Sequence, residues 1–176
     1  MSLRSLVIAT VLVLLGVQSF AQSSLNTTSS APQNFEPVKP GPVVIVISGA
    51  SGPEPYRDYA DQLRALGYYA VLIDGREVLT RDKDGLGYLK RSIADAQASS
   101  AVLRGKVAVV GFSQGGGGAL LHASTLSEQV SAVVAYYPAV SWSPNMNWLA
   151  GRFAVPILIL AGEKDRYDSC CLIGDI

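Results

Sequence analysis

A serine lies at the centre of the sequence GFSQG at residues 111–115, directly after an apolar run. Glycines two positions before and after a serine permit a sharp turn between a strand and a helix, because neighbouring backbone comes too close for side chains there. Such a turn holds the hydroxyl above the edge of a sheet, near the positive end of the following helix. We therefore predict that Ser113, in this serine turn, is the nucleophile of an acyl-transfer reaction. The alternative is an ordinary glycine-rich connection.

A second chemical group is predicted in the loop SGASG at residues 48–52, which follows an earlier apolar run. Acyl transfer creates an oxyanion, and the amide of the residue after the nucleophile stabilises it together with an amide from an early loop. These positions predict the amides of Gln114 and Ala50 as the oxyanion donors, with Ser51 in reserve. The alternative is that the glycines of this loop only shape a turn.

An acid follows the last apolar run, at the end of the sequence AGEKD at residues 161–165. An acid later in the chain than the serine matches the order serine, acid, histidine of hydrolases that use such a turn. Asp165 is therefore predicted to orient a histidine. The alternative is a solvated loop acid, since Glu163 and Asp168 are close in sequence.

A histidine base is harder to place. A serine hydroxyl is a poor nucleophile at neutral pH unless a histidine accepts its proton. His122 is the one histidine of the sequence, nine positions beyond Ser113 in a predicted helix. That spacing corresponds to about 13.5 Å along a helix axis, with the side chains half a turn apart. We therefore expect His122 to be a packing or surface residue.

Alternating strands and helices position these residues. Continuous apolar runs predict strands that are buried on both faces, and helical spacing of apolar residues predicts helices between them. This alternation predicts the α/β class, with a doubly wound, mostly parallel sheet and helices on both faces. Ligands then bind at the carboxyl ends of the strands. The predicted strands are 43–47, 69–73, 107–110, 132–135 and 157–160, and the predicted helices are 56–66, 88–98 and 116–126.

Four successive glycines, at residues 115–118, follow the serine. Each costs roughly 1 kcal/mol relative to alanine in a helix interior. Close contact between this helix and the neighbouring strands would offset that cost. A phosphate-binding loop is the alternative, but it normally continues with a glycine-lysine pair that is absent after these glycines.

Composition and charge exclude several classes of protein. The 176 residues carry 14 basic and 14 acidic side chains, which argues against a nucleic-acid partner. The sequence is 49% hydrophobic and 16% charged, which is typical of a globular chain. Two adjacent cysteines, Cys170 and Cys171, and one remote histidine do not form a convincing zinc site, and an ordinary disulfide between neighbours is not expected.

The first residues read as a targeting segment. Residues 1–21 combine Arg4, an apolar run and small residues before a cleavage point, which predicts a signal peptide and a secreted or periplasmic protein. The apolar run is shorter than the about 20 residues that cross a membrane, so no stable membrane span is expected after cleavage. Residues 22–40 are predicted to be a flexible leader, and residues 41–176 the folded domain.

Residues 43–168 resemble the dienelactone hydrolase family of α/β-hydrolases, on segments 56–75 and 106–121 and the sequence YYP at 136–138. The resemblance implies hydrolysis of a small-molecule ester or lactone through an acyl-enzyme, without a cofactor. The chain departs from the family's namesake enzymes, which carry cysteine where it has Ser113. The family also places a histidine after the acid, and none follows Asp165 here.

We therefore expect a C-terminally truncated α/β-hydrolase domain with impaired catalysis, since the sequence ends 11 residues after Asp165. Two alternatives remain open. One is a noncatalytic secreted binding protein with this fold, and the other is a nonfunctional fragment. The segment 136–148 provides either one wall of an acyl pocket or a packed loop.

Overall fold

The computed structural model describes residues 31–143, 145–162 and 165. Within them the chain forms one six-stranded sheet with the strand order β1-β3-β2-β4-β5-β6. Strands β2 to β6 are parallel to their neighbours, and β1 is antiparallel to β3. The strands are β1 (Gln33–Phe35), β2 (Val43–Ile47), β3 (Tyr69–Ile73), β4 (Val107–Phe112), β5 (Val130–Tyr136) and β6 (Ile157–Leu160).

Helices cover both faces of this sheet, so the predicted fold class is confirmed. The α-helices are α1 (Arg57–Ala65), α2 (Gly75–Val78), α3 (Gly85–Gln97), α4 (Gln114–Leu121) and α5 (Met146–Ala150). Successive residues of β2 point to opposite sides of the sheet, as the strand period requires. Ile45 packs in the cluster that contains Leu89 of α3, while Val46 packs in the cluster that contains Ala60 of α1. Both faces are therefore apolar, which explains the continuous apolar runs.

The helix after the serine turn differs from the prediction. It begins at Gln114 and ends at Leu121, whereas residues 116–126 were predicted. His122 then leaves the helix with φ −111°, and a short 3-10 turn follows at Ala123–Thr125. Helix α4 thus starts directly after Ser113, and its first turn borders the site.

The start of the folded region also differs from the prediction. Gln33–Phe35 pairs with β3 in the register Gln33 to Leu72, so the prediction of a flexible leader was wrong for this segment. A strand of three residues with only one large apolar side chain gives little periodicity, and its pairing is dictated by β3. The predicted signal peptide, Cys170 and Cys171 lie outside the described residues. No helix in the described part of the chain is long and apolar enough to cross a membrane.

Candidate active site

Ser113 occupies a strained turn between β4 and α4. Its backbone has φ 49° and ψ −115°, and Tyr137 is the other non-glycine residue with positive φ in the described ranges. Such a conformation costs about 1–3 kcal/mol and persists only where the surroundings impose it. Here the Ser113 amide donates to the Tyr136 carbonyl over 3.0 Å, and the Ser113 carbonyl accepts from the amides of Gly117 and Ala139. The backbone of the turn is therefore fixed on both sides.

Close backbone contacts explain why the serine turn has glycines at positions 111 and 115. A Cβ atom on Gly111 would lie 2.3 Å from the Gly115 carbonyl oxygen, and one on Gly115 would lie 2.3 Å from the Ser48 carbonyl oxygen. Neither backbone position can accept a side chain. The contact also brings the start of α4 against the end of β2, which places the predicted oxyanion loop beside the serine turn.

The remaining glycines of α4 allow an equally close approach. A Cβ atom on Gly117 would lie 2.0 Å from the Ala139 carbonyl oxygen, and one on Gly116 would lie 3.0 Å from Cα of Pro138. Helix α4 thus packs directly on the loop that follows β5. This contact accounts for the run of glycines, as the sequence predicts.

A cavity of about 460 Å³ opens at the serine turn. Its volume is within the range of small-molecule sites. Ser113, Gln114 and Ala50, which the sequence predicts as nucleophile and oxyanion donors, border the same cavity. Trp142, from the segment predicted either to wall a pocket or to pack, borders it too. The lining consists of Ala50, Leu79, Thr80, Arg81, Ser113, Gln114, Leu121, Ala139 and Trp142.

Several lining residues were missed by the sequence analysis. Leu79, Thr80 and Arg81 follow α2, in the connection that leaves the carboxyl end of β3. The rule that ligands bind beyond the carboxyl ends of parallel strands applies to this connection too. The segment carries no recognisable motif, so its place at the cavity depends on the path of the loop.

Hydrogen bonds hold the two predicted oxyanion segments. The Gly75 amide donates to the Ser48 hydroxyl over 3.0 Å, which fixes the start of the loop at 48–52. The Gln114 side chain donates to the Leu79 carbonyl over 2.7 Å. Gln114 is the first residue of α4, so its backbone amide lies near the positive end of the helix dipole.

Asp165 lies after β6, at the same edge of the sheet as Ser113. Strand β5 separates β6 from β4, and Asp165 does not border the cavity. Its amide donates to the Gly162 carbonyl over 3.0 Å, and the residue is partly buried. The structure therefore places Asp165 on the predicted edge but leaves its predicted role as orienting acid untested.

His122 lies at the opposite end of α4 from Ser113. Burial lowers the pKa of its imidazole, an effect that a hydrogen bond to the Val78 backbone opposes. The ring is therefore engaged with α2 and does not border the cavity. Within the described residues, no group of three or more His, Cys, Asp or Glu side chains could hold a metal ion.

Comparison with known proteins assigns the chain to a family. The model of the dienelactone hydrolase family matches residues 74–168, which include the serine turn and Asp165. The chain belongs to the dienelactone hydrolase family. The predicted resemblance is thereby confirmed. No curated protein sequence gives a significant match.

Solved structures share the dienelactone hydrolase fold of this chain. Est1E from Butyrivibrio proteoclasticus aligns with a TM-score of 0.64 and 15% identity over 82% of this chain and 79% of that chain. A putative dienelactone hydrolase from Klebsiella pneumoniae aligns with a TM-score of 0.62 and 21% identity over 83% and 80%. The fluorophosphonate-binding serine hydrolase FphF from Staphylococcus aureus aligns with a TM-score of 0.61 and 14% identity over 88% and 74%. At these identities the likeness shows the fold alone.

Proposed function

We propose that this member of the dienelactone hydrolase family is a serine hydrolase that acts on carboxylic esters or lactones through an acyl-enzyme. The strained backbone of Ser113 at the mouth of the cavity carries this proposal. The Ser113 hydroxyl oxygen attacks the carbonyl carbon and forms a tetrahedral oxyanion. The amides of Gln114 and Ala50 stabilise that charge. When the carbonyl re-forms, the bond from its carbon to the alkoxy oxygen breaks, and that oxygen takes up the proton that Ser113 gave to the base. Water then hydrolyses the acyl-enzyme.

We further propose that turnover by these 176 residues is weak. The attacking hydroxyl must transfer its proton to a base, and His122 hydrogen-bonds to the Val78 backbone at the far end of α4. In a serine hydrolase, removal of the histidine base costs up to about 10⁶-fold in kcat, while the oxyanion site and substrate binding retain a residual rate enhancement. Asp165, in this proposal, is the acid that orients a base at the same edge of the sheet.

Imidazole in the buffer tests both parts of the proposal, because it supplies the missing proton acceptor. The measurement is hydrolysis of p-nitrophenyl acetate with and without imidazole. The Ser113→Ala variant in the same buffer serves as the background, since imidazole itself cleaves this ester. We expect turnover near background without imidazole and a Ser113-dependent rise of at least about tenfold with it.

Two results would contradict the proposal. Full Ser113-dependent turnover without imidazole contradicts impaired catalysis. Equal rates for the wild type and Ser113→Ala in both buffers, with both proteins folded by circular dichroism, contradict the hydrolase and favour the noncatalytic binding protein.

We also propose that the protein is exported, from the signal-peptide pattern of residues 1–21. Small residues before Gln22 fit a cleavage point. Amino-terminal sequencing of the protein made in its source cells should then begin at Gln22, and a protein that begins at Met1 would contradict export.

A further inference from the structure

Tyr56 brings a hydroxyl group to the serine turn from the segment that precedes α1. The point that a Cβ atom on Gly49 would occupy lies 2.5 Å from the Tyr56 hydroxyl oxygen and 3.5 Å from Cβ of Ser113. The Tyr56 hydroxyl therefore packs against Gly49, on the side of this glycine where Cβ of Ser113 also lies. Gly49 directly precedes Ala50, so the hydroxyl adjoins the predicted oxyanion loop.

The Tyr56 ring is held by the strand that carries the serine. Its centroid lies 4.8 Å from that of Phe112, the residue before Ser113, and the two rings are tilted by 36°. Phe112 is buried, and on its other side it stacks against Tyr136 at 4.8 Å. A ring packed in this way has little freedom, so its hydroxyl is positioned before any ligand binds.

Tyr137 lies on the same aromatic residue as Tyr56, since the ring centroids of Tyr56 and Tyr137 are 4.8 and 6.2 Å from that of Phe112. Its backbone is strained, with φ 36°, and its amide donates to the Leu160 carbonyl over 2.7 Å. The residue lies between Tyr136 and Ala139, which both form backbone hydrogen bonds with Ser113. The Tyr137 side chain forms a hydrogen bond with Tyr56, and burial, followed by the effect of Tyr56, raises the pKa of Tyr137.

We propose that Tyr56 is a third oxyanion donor at Ser113, through its side chain, and that Tyr137 is the positioning residue that holds it. The inference rests on the proposed function. When the Ser113 oxygen forms its bond to the carbonyl carbon, the π electron pair moves to the carbonyl oxygen. Tyr56 donates a hydrogen bond to that oxygen and keeps its proton, so the addition needs no further reactant. Removal of one donor of this kind costs about 10²–10³ in kcat in a complete serine hydrolase.

Phenylboronic acid tests the inference without turnover. The Ser113 oxygen adds to boron, the serine proton passes to imidazole in the buffer, and the tetrahedral boronate reproduces the charged oxygen of the intermediate. Boron NMR reports the change from trigonal to tetrahedral boron, and a titration gives the Kd. Benzamide, a planar analogue, reports binding in the ground state. The variants are Tyr56→Phe, Tyr137→Phe and Ser113→Ala, with Tyr68→Phe as the control because Tyr68 lies on the surface outside the site.

For Tyr56→Phe we expect a Kd for boronate at least tenfold higher and an unchanged Kd for benzamide. Tyr137→Phe should shift the boronate Kd in the same direction by a smaller factor, again without a change for benzamide. Tyr68→Phe should match the wild type. Equal boronate binding by the wild type and Tyr56→Phe would overturn the inference while the proposed function stands. The proposed function, and the inference with it, would be overturned by either of two results. One is that the folded wild type forms no tetrahedral boronate, and the other is that Ser113→Ala forms as much of it as the wild type.

Discussion

The amide and the carbonyl of Ser113 both form backbone hydrogen bonds, so the shape of the turn does not depend on the side-chain hydroxyl. The amide has an acceptor in Tyr136, and the carbonyl has two donors in Gly117 and Ala139. The surroundings thus hold a φ of 49° that the residue would not adopt alone. Because the strain is balanced by backbone contacts, Ser113→Ala is an appropriate control: it removes the hydroxyl and keeps the turn.

The raised pKa of Tyr59 predicts that the free energy of unfolding depends on pH. Burial, followed by its hydrogen bond and charge interaction with Tyr136, raises the pKa of Tyr59 from 10.0 to about 12. Between these values the unfolded chain has lost the phenolic proton and the folded chain still holds it. The free energy of unfolding should therefore fall as the pH rises from 10 to 12.

Urea unfolding at several pH values checks this expectation. Between pH 10 and 12, the free energy of unfolding should decrease less for Tyr59→Phe than for the wild type. Tyr68→Phe, which removes an exposed tyrosine, should keep the wild-type slope. Identical slopes for the wild type and Tyr59→Phe would contradict the assignment to Tyr59.

At the scale of the elements, the packing of α4 on the loop after β5 requires glycines, and we expect it to contribute to the stability of the fold. Gly117→Ala would place a methyl group 2.0 Å from the Ala139 carbonyl oxygen, which is backbone and cannot rotate away. We expect a loss of about 3 kcal/mol in the free energy of unfolding, the upper range for overpacking. The matched control is Gly118→Ala in the same helix, whose methyl group meets the Val78 side chain at 2.8 Å.

For Gly118→Ala we expect a smaller loss than for Gly117→Ala, because its methyl group meets a side chain and not backbone, and a gain of about 1 kcal/mol in helix propensity offsets part of the cost of moving the buried, β-branched Val78. Thermal and urea unfolding of both variants measure the difference. A Gly117→Ala protein as stable as Gly118→Ala would show that the glycine run has no packing role.

The sequence predicts the central strands well and the loop contacts poorly. Strands β2, β3 and β6 have the predicted bounds because residues buried on both faces form unbroken apolar runs. Strand β5 begins earlier than predicted, since Ser131 interrupts the apolar pattern after Val130. The three residues of β1 give no such pattern, and their pairing comes from β3.

The same difference holds for the site. Ser113, Gln114 and Ala50 could be predicted because each follows the end of a strand, where the topology alone brings residues together. Tyr56 and Arg81 could not, since their places depend on the path of long connections and on tertiary contacts. The catalytic roles of Ser113, Gln114 and Ala50, like that of Asp165, stay predictions.

At the scale of the whole molecule, the described part of the sheet has an apolar edge at β6. Among the described residues, β6 pairs with β5 alone, and Leu158 and Leu160 are 53% and 40% exposed. An edge strand with exposed apolar side chains is prone to associate with other chains. We therefore expect self-association in solution.

Sedimentation velocity tests this expectation with Leu158→Lys. The charge on β6 should increase the monomer fraction over that of the wild type. Leu103→Lys provides the control, because Leu103 is 56% exposed but lies outside the sheet, and it should leave the distribution unchanged. Equal effects of the two variants would mean that β6 is not the associating surface.

Three parts of the molecule meet at Ser113: the loop after β2, the turn between β4 and α4, and the loop after β5. Their convergence makes Ser113 the predicted nucleophile, and covalent labelling tests that most directly. A fluorophosphonate loses fluoride when a serine oxygen bonds to its phosphorus, and the added mass can be assigned to a peptide. We predict labelling of Ser113 in the folded chain at a rate that rises with imidazole concentration, and no label on Ser113→Ala. A chain that is folded by circular dichroism but unlabelled at Ser113 at any imidazole concentration would contradict the assignment.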